Sequence, residues 1–170
     1  ARELVKKYKG KFANLLVTYH PDIAGEVKGK SSNEAYAGRL SKKVLVDRQK
    51  RDIDYITVTS KDADGIFDKS YFSCLTYKFL TNPNRYLRFW QPLILYYNNI
   101  WRVPAPIRVM NSLGSVWQTG MNSRTDKLIN FSMYSLSLKL LDEVGYWDVD
   151  VIPEDFRLFF KSYFAKDGKV

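Results

Sequence analysis

The chain has 170 residues, of which 45% are hydrophobic and 26% charged, the composition of one globular domain rather than of a disordered protein. Its one cysteine excludes an internal disulfide and its one histidine excludes His-rich zinc sites. Residues 1–51 carry 13 Lys or Arg against 5 Asp or Glu, so nearly all of the net charge of +9 lies there. Such asymmetry is typical of a protein that contacts nucleic acid, a phosphorylated ligand or an anionic membrane, but a solvated surface also accounts for it. The charge alone does not distinguish these four possibilities.

The hydrophobic periodicity predicts alternating helices and strands in the first half of the chain. The end of a helix at 3–8 precedes an apolar run over 12–19, which we predict to be a buried strand. Helical spacing over 33–46 is followed by a β-branched strand over 53–59. A further helix is expected over 67–80.

The same alternation continues to the end of the chain. A strand is predicted over 86–91, followed by helical pieces over 94–120. A strand over 131–135, a helix over 138–145 and a closing helix over 154–164 complete the pattern. This order predicts an α/β layered sheet in a single domain, and no apolar run is long enough to span a membrane.

Two carboxylates directly follow the second predicted strand, at Asp62 and Asp64. In open α/β sheets ligands bind beyond the carboxyl ends of strands. Carboxylates placed there commonly share a Mg²⁺ ion with substrate phosphates. A surface turn accounts for the same residues, because Asp and Gly are favoured in turns.

A second acidic pair, Glu154 and Asp155, follows Pro153 at the start of the closing helix. Carboxylates are favoured at this position by the helix dipole, so capping alone accounts for the pair. Together with Asp62 and Asp64, however, the pair forms an ordered set of acidic motifs that can be compared with those of known protein families.

The order of the motifs resembles the family-two inverting glycosyltransferases of GT-A fold, which are related to cellulose and hyaluronan synthases. In that family a DxD motif is followed by a GGW(D/E) and TED stretch, which the segments 145–148 (GYWD) and 152–155 (IPED) resemble. The segment 28–33 (KGKSSN) resembles the family's GKaxaLN, and Gln91-Pro92 with the YYN of 96–98 resembles its QTP and FFN. Pro153 and Tyr146 depart from the family's Thr and second Gly.

The resemblance implies a GT-A fold, a Rossmann-like layered sheet with helices, incomplete at its N-terminal side. Residues 1–170 would then be the middle part of a larger catalytic domain, and this piece alone is expected to be inactive. The family's membrane helices would lie outside this chain, and the enzyme would act on the cytoplasmic side of the cell membrane.

The resemblance also implies a chemistry. A nucleoside diphosphate sugar, expected to be UDP-linked, would donate its sugar with inversion to a glycan or lipid-linked acceptor. Mg²⁺ or Mn²⁺ would bind Asp64, with Asp62 on metal or nucleotide, and Asp155 would be the general base. Positive charge near the phosphates would come from Lys28 or Lys30. Residues that support the site or contact the acceptor would be Gln91, Trp147 and Glu154.

The alternative is a basic nucleic-acid-binding α/β module without catalytic activity. Its phosphate contacts would come from the cations that follow the first long helix: Arg39, Lys42, Lys43, Arg48, Lys50 and Arg51. No recognised nucleic-acid motif accompanies these cations, so the glycosyltransferase interpretation is preferred. A phosphate-binding P-loop at 25–31 is excluded, because three residues rather than four separate its glycines.

Overall fold

The structure, a computed structural model, describes residues 2–124 and 130–170. The described part of the chain is a mixed α/β structure, which confirms the predicted class at this level. Its α-helices are α1 (Arg2–Tyr8), α2 (Lys30–Lys42), α3 (Tyr71–Thr81), α4 (Ala105–Asn122), α5 (Leu138–Glu143) and α6 (Glu154–Ala165). A π-helical turn (Lys43–Arg48) extends α2, and short 3₁₀ turns occur at Ile53–Tyr55, Arg85–Leu87 and Ile100–Arg102.

The strands form a three-stranded antiparallel sheet among the described residues. They are β1 (Thr57–Ser60), β2 (Phe89–Trp90) and β3 (Tyr134–Ser137), in the order β1-β3-β2. Thr57 lies opposite Ser137, and Phe89 lies opposite Leu136. The central strand is therefore β3, which comes last in sequence.

The hydrophobic core is built around β3 and the helix that follows it. Every residue of β3 is buried, including Tyr134 and Leu136. Ser137 ends the strand and caps α5, because its Oγ accepts a hydrogen bond of 3.0 Å from the backbone N of Leu140. Trp147 packs into the same core and donates from Nε1 to the Tyr134 hydroxyl at 2.6 Å. Satisfied polar atoms allow these two aromatic residues to be buried at little cost.

Helix α2 contacts the rest of the molecule through residues spaced four apart. Lys30, Glu34 and Gly38 lie on one side of the helix, as this spacing requires. A Cβ atom at Gly38 would lie 3.0 Å from Cδ1 of Tyr146 and 3.1 Å from Cζ3 of Trp147. Glycine costs about 1 kcal/mol in a helix interior relative to alanine. Close packing of α2 on the two rings explains why it is present here.

The predicted buried strand over 12–19 is wrong. These residues form no strand in the described structure, and the side chains of Phe12, Leu15, Leu16 and Tyr19 are exposed. An apolar run favours a strand only where a neighbouring strand offers hydrogen bonds. No described strand pairs with this segment.

The other predicted elements are present with shifted ends. The strand predicted over 53–59 occupies 57–60, because Asp52 accepts from the backbone N of Asp54 at 2.9 Å and closes a 3₁₀ turn first. The strand predicted over 131–135 occupies 134–137. The predicted strand over 86–91 shortens to two residues. The helices predicted over 33–46, 67–80 and 154–164 correspond to α2, α3 and α6.

Helix α4 is the longest described helix and packs with an unusual face inward. Its buried residues are Ser115 and Gln118, which are small or polar. The Ser115 hydroxyl accepts from the backbone N of Tyr96 at 3.2 Å and so anchors the helix to the segment before it. None of the described helices is both long and apolar enough to cross a membrane.

Candidate functional site

Lys30 is the centre of a group of charged side chains contributed by separate parts of the chain. Its Nζ lies 2.7 Å from Oδ1 of Asp62 and 2.8 Å from Oε1 of Glu154. Lys30 begins α2, Asp62 follows β1 and Glu154 begins α6. The Nζ also donates to the carbonyl oxygen of Ser132 at 3.2 Å. We refer to the set Lys30, Glu34, Asp62, Ser132, Glu154 and Asp155 as the Lys30 cluster.

Ser132 joins the two acidic motifs. Its Oγ donates to Oδ2 of Asp62, and its backbone N donates to Oδ2 of Asp155 at 2.8 Å. The φ angle of Ser132 is 57°, a left-handed conformation that is uncommon for a residue with a side chain. The buried Asn130 supports this arrangement by donating to the carbonyl oxygen of Asp155 at 2.9 Å. The carboxylates of Asp62 and Asp155 are thus both held by one residue.

The ion pairs set the protonation states of Lys30 and Asp62. Partial burial disfavours the charge on Lys30, but hydrogen bonds to Asp62 and Glu154 outweigh it and raise the lysine pKa above its ordinary value. Burial likewise opposes the charge on Asp62, yet the hydrogen bonds from Lys30 and Ser132 lower the pKa of its carboxyl. Both groups are therefore charged at neutral pH.

Glu34 is a further acidic side chain of the cluster, and the sequence analysis missed it. Its Oε1 accepts from the Ser60 hydroxyl at 2.7 Å and lies 3.9 Å from Nζ of Lys30. Its Oε2 is buried without a hydrogen-bond partner among the described residues. Burial raises the pKa of Glu34 to about 7, and the charges of Glu154 and Asp62 add to this effect. The Ser60 hydrogen bond and Lys30 act in the opposite direction.

Replacing Glu34 by Gln is expected to flatten the pH dependence of stability. The pKa of Glu34 rises from 4.5 to about 7 on folding, so the folded state binds more protons than the unfolded state between these values. The free energy of unfolding of the wild type should therefore fall as pH rises through this window, by up to about 3 kcal/mol at about 1.4 kcal/mol per pKa unit. Urea unfolding of both proteins from pH 4 to pH 8 measures the difference. Parallel pH profiles of wild type and Glu34→Gln would contradict the assignment.

The two candidate lysines lie in different surroundings. Lys28 forms an ion pair of 2.6 Å with Asp22, and both side chains are largely exposed. Lys30 instead contacts the predicted site residues Asp62 and Glu154. The geometry therefore favours Lys30 as the cation of the site.

Asp64 lies beside the cluster rather than in it. Its backbone oxygen accepts from Nδ2 of Asn98 at 2.7 Å, and the residue is exposed. Its carboxylate has no hydrogen bond or ion pair to another described residue. Asn98 belongs to the segment that resembles the FFN motif, so this contact links two of the motifs.

Gln91 contacts the segment that leads to Ser132, whereas Trp147 lies in the hydrophobic core. The Gln91 amide donates to the carbonyl oxygen of Phe131 at 3.0 Å and accepts from its backbone N at 2.8 Å. This pair of bonds fixes the residue that directly precedes Ser132. Trp147 is only 3% exposed and packs in the core.

The carboxylates of Asp62 and Asp64 are the candidate ligands of a divalent cation. Among the described residues there is no group of three His, Cys, Asp or Glu side chains that forms a metal site by itself. Asp62 already binds Lys30 and Ser132, whereas the exposed carboxylate of Asp64 is open to a ligand. One or two carboxylates completed by phosphate oxygens are how Mg²⁺ is commonly held, so the residues fit such an ion.

The sequence offers little signal for the residues that were missed. Glu34 lies four residues after Lys30, a helical spacing that places both side chains on one face. Ser132 carries no comparable signal, because its role depends on a backbone conformation and on two contacts distant in sequence.

The basic residues of the nucleic-acid alternative are partly engaged within the protein. Lys42 forms an ion pair of 2.7 Å with Asp142, and the Arg39 guanidinium lies over the Tyr146 ring at 5.5 Å. Four further cations remain exposed: Lys43, Arg48, Lys50 and Arg51. A smaller basic surface is thus available than the sequence suggests.

Comparison with known proteins gives no relative: no family model, no curated protein and no solved structure matches this chain. Its function has to be inferred from the Lys30 cluster and the residues beside it.

Proposed function

We propose that this chain is the central part of an inverting glycosyltransferase catalytic domain of GT-A fold. The observation that carries the proposal is the position of Asp62 and Asp155, which are far apart in sequence and both bind Ser132. A glycosyltransferase needs its leaving-group site and its base on either side of one sugar. The contact of both Asp62 and Asp155 with Ser132 is consistent with this requirement and supports the proposal. The three antiparallel strands would then belong to a larger layered sheet, completed by chain outside residues 1–170.

Asp155 is the general base in this proposal. Its Oδ2 accepts from the backbone N of Ser132 at 2.8 Å, and its Oδ1 accepts from the backbone N of Phe156 at 2.8 Å. These bonds fix the position of the carboxylate. It takes the proton of the acceptor hydroxyl while that oxygen forms a bond to the anomeric carbon. The bond from this carbon to the diphosphate breaks, and its electron pair leaves with the diphosphate.

Lys30 and the two aspartates of the DxD motif serve the leaving group. Lys30 is held charged by Asp62 and Glu154 and places a cation where negative charge accumulates. Asp64 and Asp62 would hold a Mg²⁺ or Mn²⁺ ion, which would supply Lewis-acid stabilisation of the departing diphosphate. Glu154 shares Lys30 with Asp62 and keeps the amine in position.

Metal binding is expected to depend on Asp64 more than on Asp62. Asp64 offers an open carboxylate, whereas Asp62 is already bound by Lys30. Titration of Mn²⁺ in the presence of UDP should give a larger rise in dissociation constant for Asp64→Ala than for Asp62→Ala. Asp22→Ala, which removes an exposed aspartate paired only with Lys28, is the control and should match wild type. Equal Mn²⁺ affinity of wild type and Asp64→Ala would contradict this role.

The reaction itself is tested with the whole protein that contains this chain, since the piece alone is expected to be inactive. Incubation with Mn²⁺, a panel of UDP-sugars and glycan or lipid-linked acceptors should release UDP with one of the donors. Absence of UDP release and of UDP binding would overturn the proposal. Binding of nucleic acid through the exposed cations after α2, with an affinity that falls steeply with salt, would favour the alternative function.

A further inference from the structure

Helix α4 carries its large apolar side chains on the outside. Ser115 and Gln118 face the body of the protein. Exposed apolar residues recur at helical spacing away from these two residues: Val109, Met110, Leu113, Val116 and Trp117. An ordinary surface helix buries its apolar side and exposes its polar one. The reversed arrangement in α4 indicates a surface that contacts an apolar partner.

The turn before α4 adds aromatic and cationic groups to this surface. Trp101 is 84% exposed, and the Arg108 guanidinium lies 6.0 Å from the centre of its ring. The neighbouring Arg102 is exposed as well. Tryptophan and arginine side by side are typical of the boundary between lipid headgroups and acyl chains, where an apolar ring and a charged group are both accommodated.

The charge of this part of the sequence selects the partner. Residues 69–125 contain seven Lys or Arg and no Asp or Glu. Of these cations, Arg102 and Arg108 lie beside the exposed apolar side of α4. An apolar surface with cations at its edge is complementary to a plane of negative charges that covers an apolar interior. An anionic lipid bilayer has this structure, and it attracts juxtamembrane basic residues individually.

We propose that α4 is a membrane-docking helix that lies in the surface of an anionic bilayer. The apolar side enters the acyl boundary, and Trp101, Arg102 and Arg108 lie at the level of the headgroups. With 18 residues the helix is about 27 Å long, and it lies along the surface instead of spanning the bilayer. The inference stands on α4 and its surroundings and is independent of glycosyl transfer.

Vesicle flotation with the purified chain tests the proposal. The chain should float with vesicles of phosphatidylcholine and phosphatidylglycerol, and about tenfold less with phosphatidylcholine alone, because each basic residue near an anionic surface contributes about 1 kcal/mol. High salt should reduce the binding. Failure to bind anionic vesicles, or equal binding to both kinds, would overturn the proposal.

A matched pair of variants locates the surface. Leu113→Asp places a charge in the apolar side of α4 and should abolish flotation, whereas Leu80→Asp on α3 should not. Both leucines are at least half exposed, at 60% and 50% respectively, so both variants should fold, which far-ultraviolet circular dichroism checks. Equal flotation of the two variants would contradict docking through α4.

Tryptophan fluorescence gives an independent measurement. Anionic vesicles should shift the emission to shorter wavelength in the wild type and not in a Trp101→Phe, Trp117→Phe double variant. The two remaining tryptophans lie away from the surface, since Trp147 is buried and Trp90 packs against Phe79. A second copy of the chain is the competing occupant. Sedimentation that shows a dimer in solution, dissociated by Leu113→Asp, would assign the surface to self-association and overturn the membrane proposal.

Discussion

Replacing Asp155 by Asn will reduce sugar transfer by about 10²–10⁴-fold, the usual contribution of a positioned general base. The amide oxygen of Asn can still accept the hydrogen bond from the Ser132 backbone N, although the amide NH₂ cannot accept the bond that Phe156 N donates to Oδ1 of Asp155. The amide has no basicity with which to take a proton. Asn is as effective as Asp near a helix N-terminus, so α6 should keep its start. The transfer rate and the dissociation constant for UDP in the presence of Mn²⁺ are the two measurements. We expect the transfer rate to fall and the dissociation constant for UDP to be unchanged.

The control for this variant is Asp54→Asn. Asp54 forms an ion pair of 2.9 Å with Lys139 and does not belong to the Lys30 cluster. Its transfer rate should equal that of the wild type. Transfer by Asp155→Asn at nearly the wild-type rate would show that Asp155 serves only the structure of the first turn of α6.

Replacing Lys30 by Met will lower the free energy of unfolding by about 3 kcal/mol. Removal of one partner from a buried ion pair leaves the other uncompensated, which typically costs about 3–5 kcal/mol. The buried partner is Glu154, whose side chain is 9% exposed, and the lower end applies because the side chains of Lys30 and Asp62 are 30% and 39% exposed. Met keeps most of the length of the side chain, so the loss reflects the uncompensated charges of Asp62 and Glu154 rather than lost packing. Urea unfolding at pH 7 measures it.

The pH dependence of the Lys30→Met variant provides a second check. Lys30 lowers the pKa of Asp62, so the stability that this pair contributes is present at neutral pH. It is lost as pH falls below about 4, the ordinary pKa of an aspartate, because a protonated Asp62 needs no cation. The difference between wild type and variant should therefore narrow in acid. Lys28→Met, which affects an exposed pair with Asp22, should change stability little at any pH. Equal effects of the two lysine variants would contradict the central position of Lys30.

The helices could be predicted from sequence because their signals are local. The spacing of apolar residues and the Pro-Glu-Asp start place α6 within one residue of its observed ends. The segment 12–19 has the composition of a buried strand, yet strand formation depends on a partner elsewhere in the chain. No described strand pairs with it, and composition alone does not reveal this.

The candidate site was predicted in part for a related reason. Asp62 and Glu154 could be selected from the order of their motifs, and the structure brings both carboxylates into ion pairs with one lysine. The sequence left Lys28 and Lys30 open, because both lie near the same glycine. Glu34 and Ser132 have roles that arise from burial and from a left-handed backbone, which residue types do not encode.

Along the side of α2 that faces the protein, two charged residues are followed, one turn later, by a glycine. Lys30 and Glu34 come first, and Gly38 then lies against the rings of Tyr146 and Trp147. A methyl group at Gly38 would have to displace these rings or tilt the helix axis. Such a tilt would move the start of α2 and with it the amine of Lys30. The close packing at Gly38 thus helps to hold Lys30 at ion-pair distance from Asp62 and Glu154.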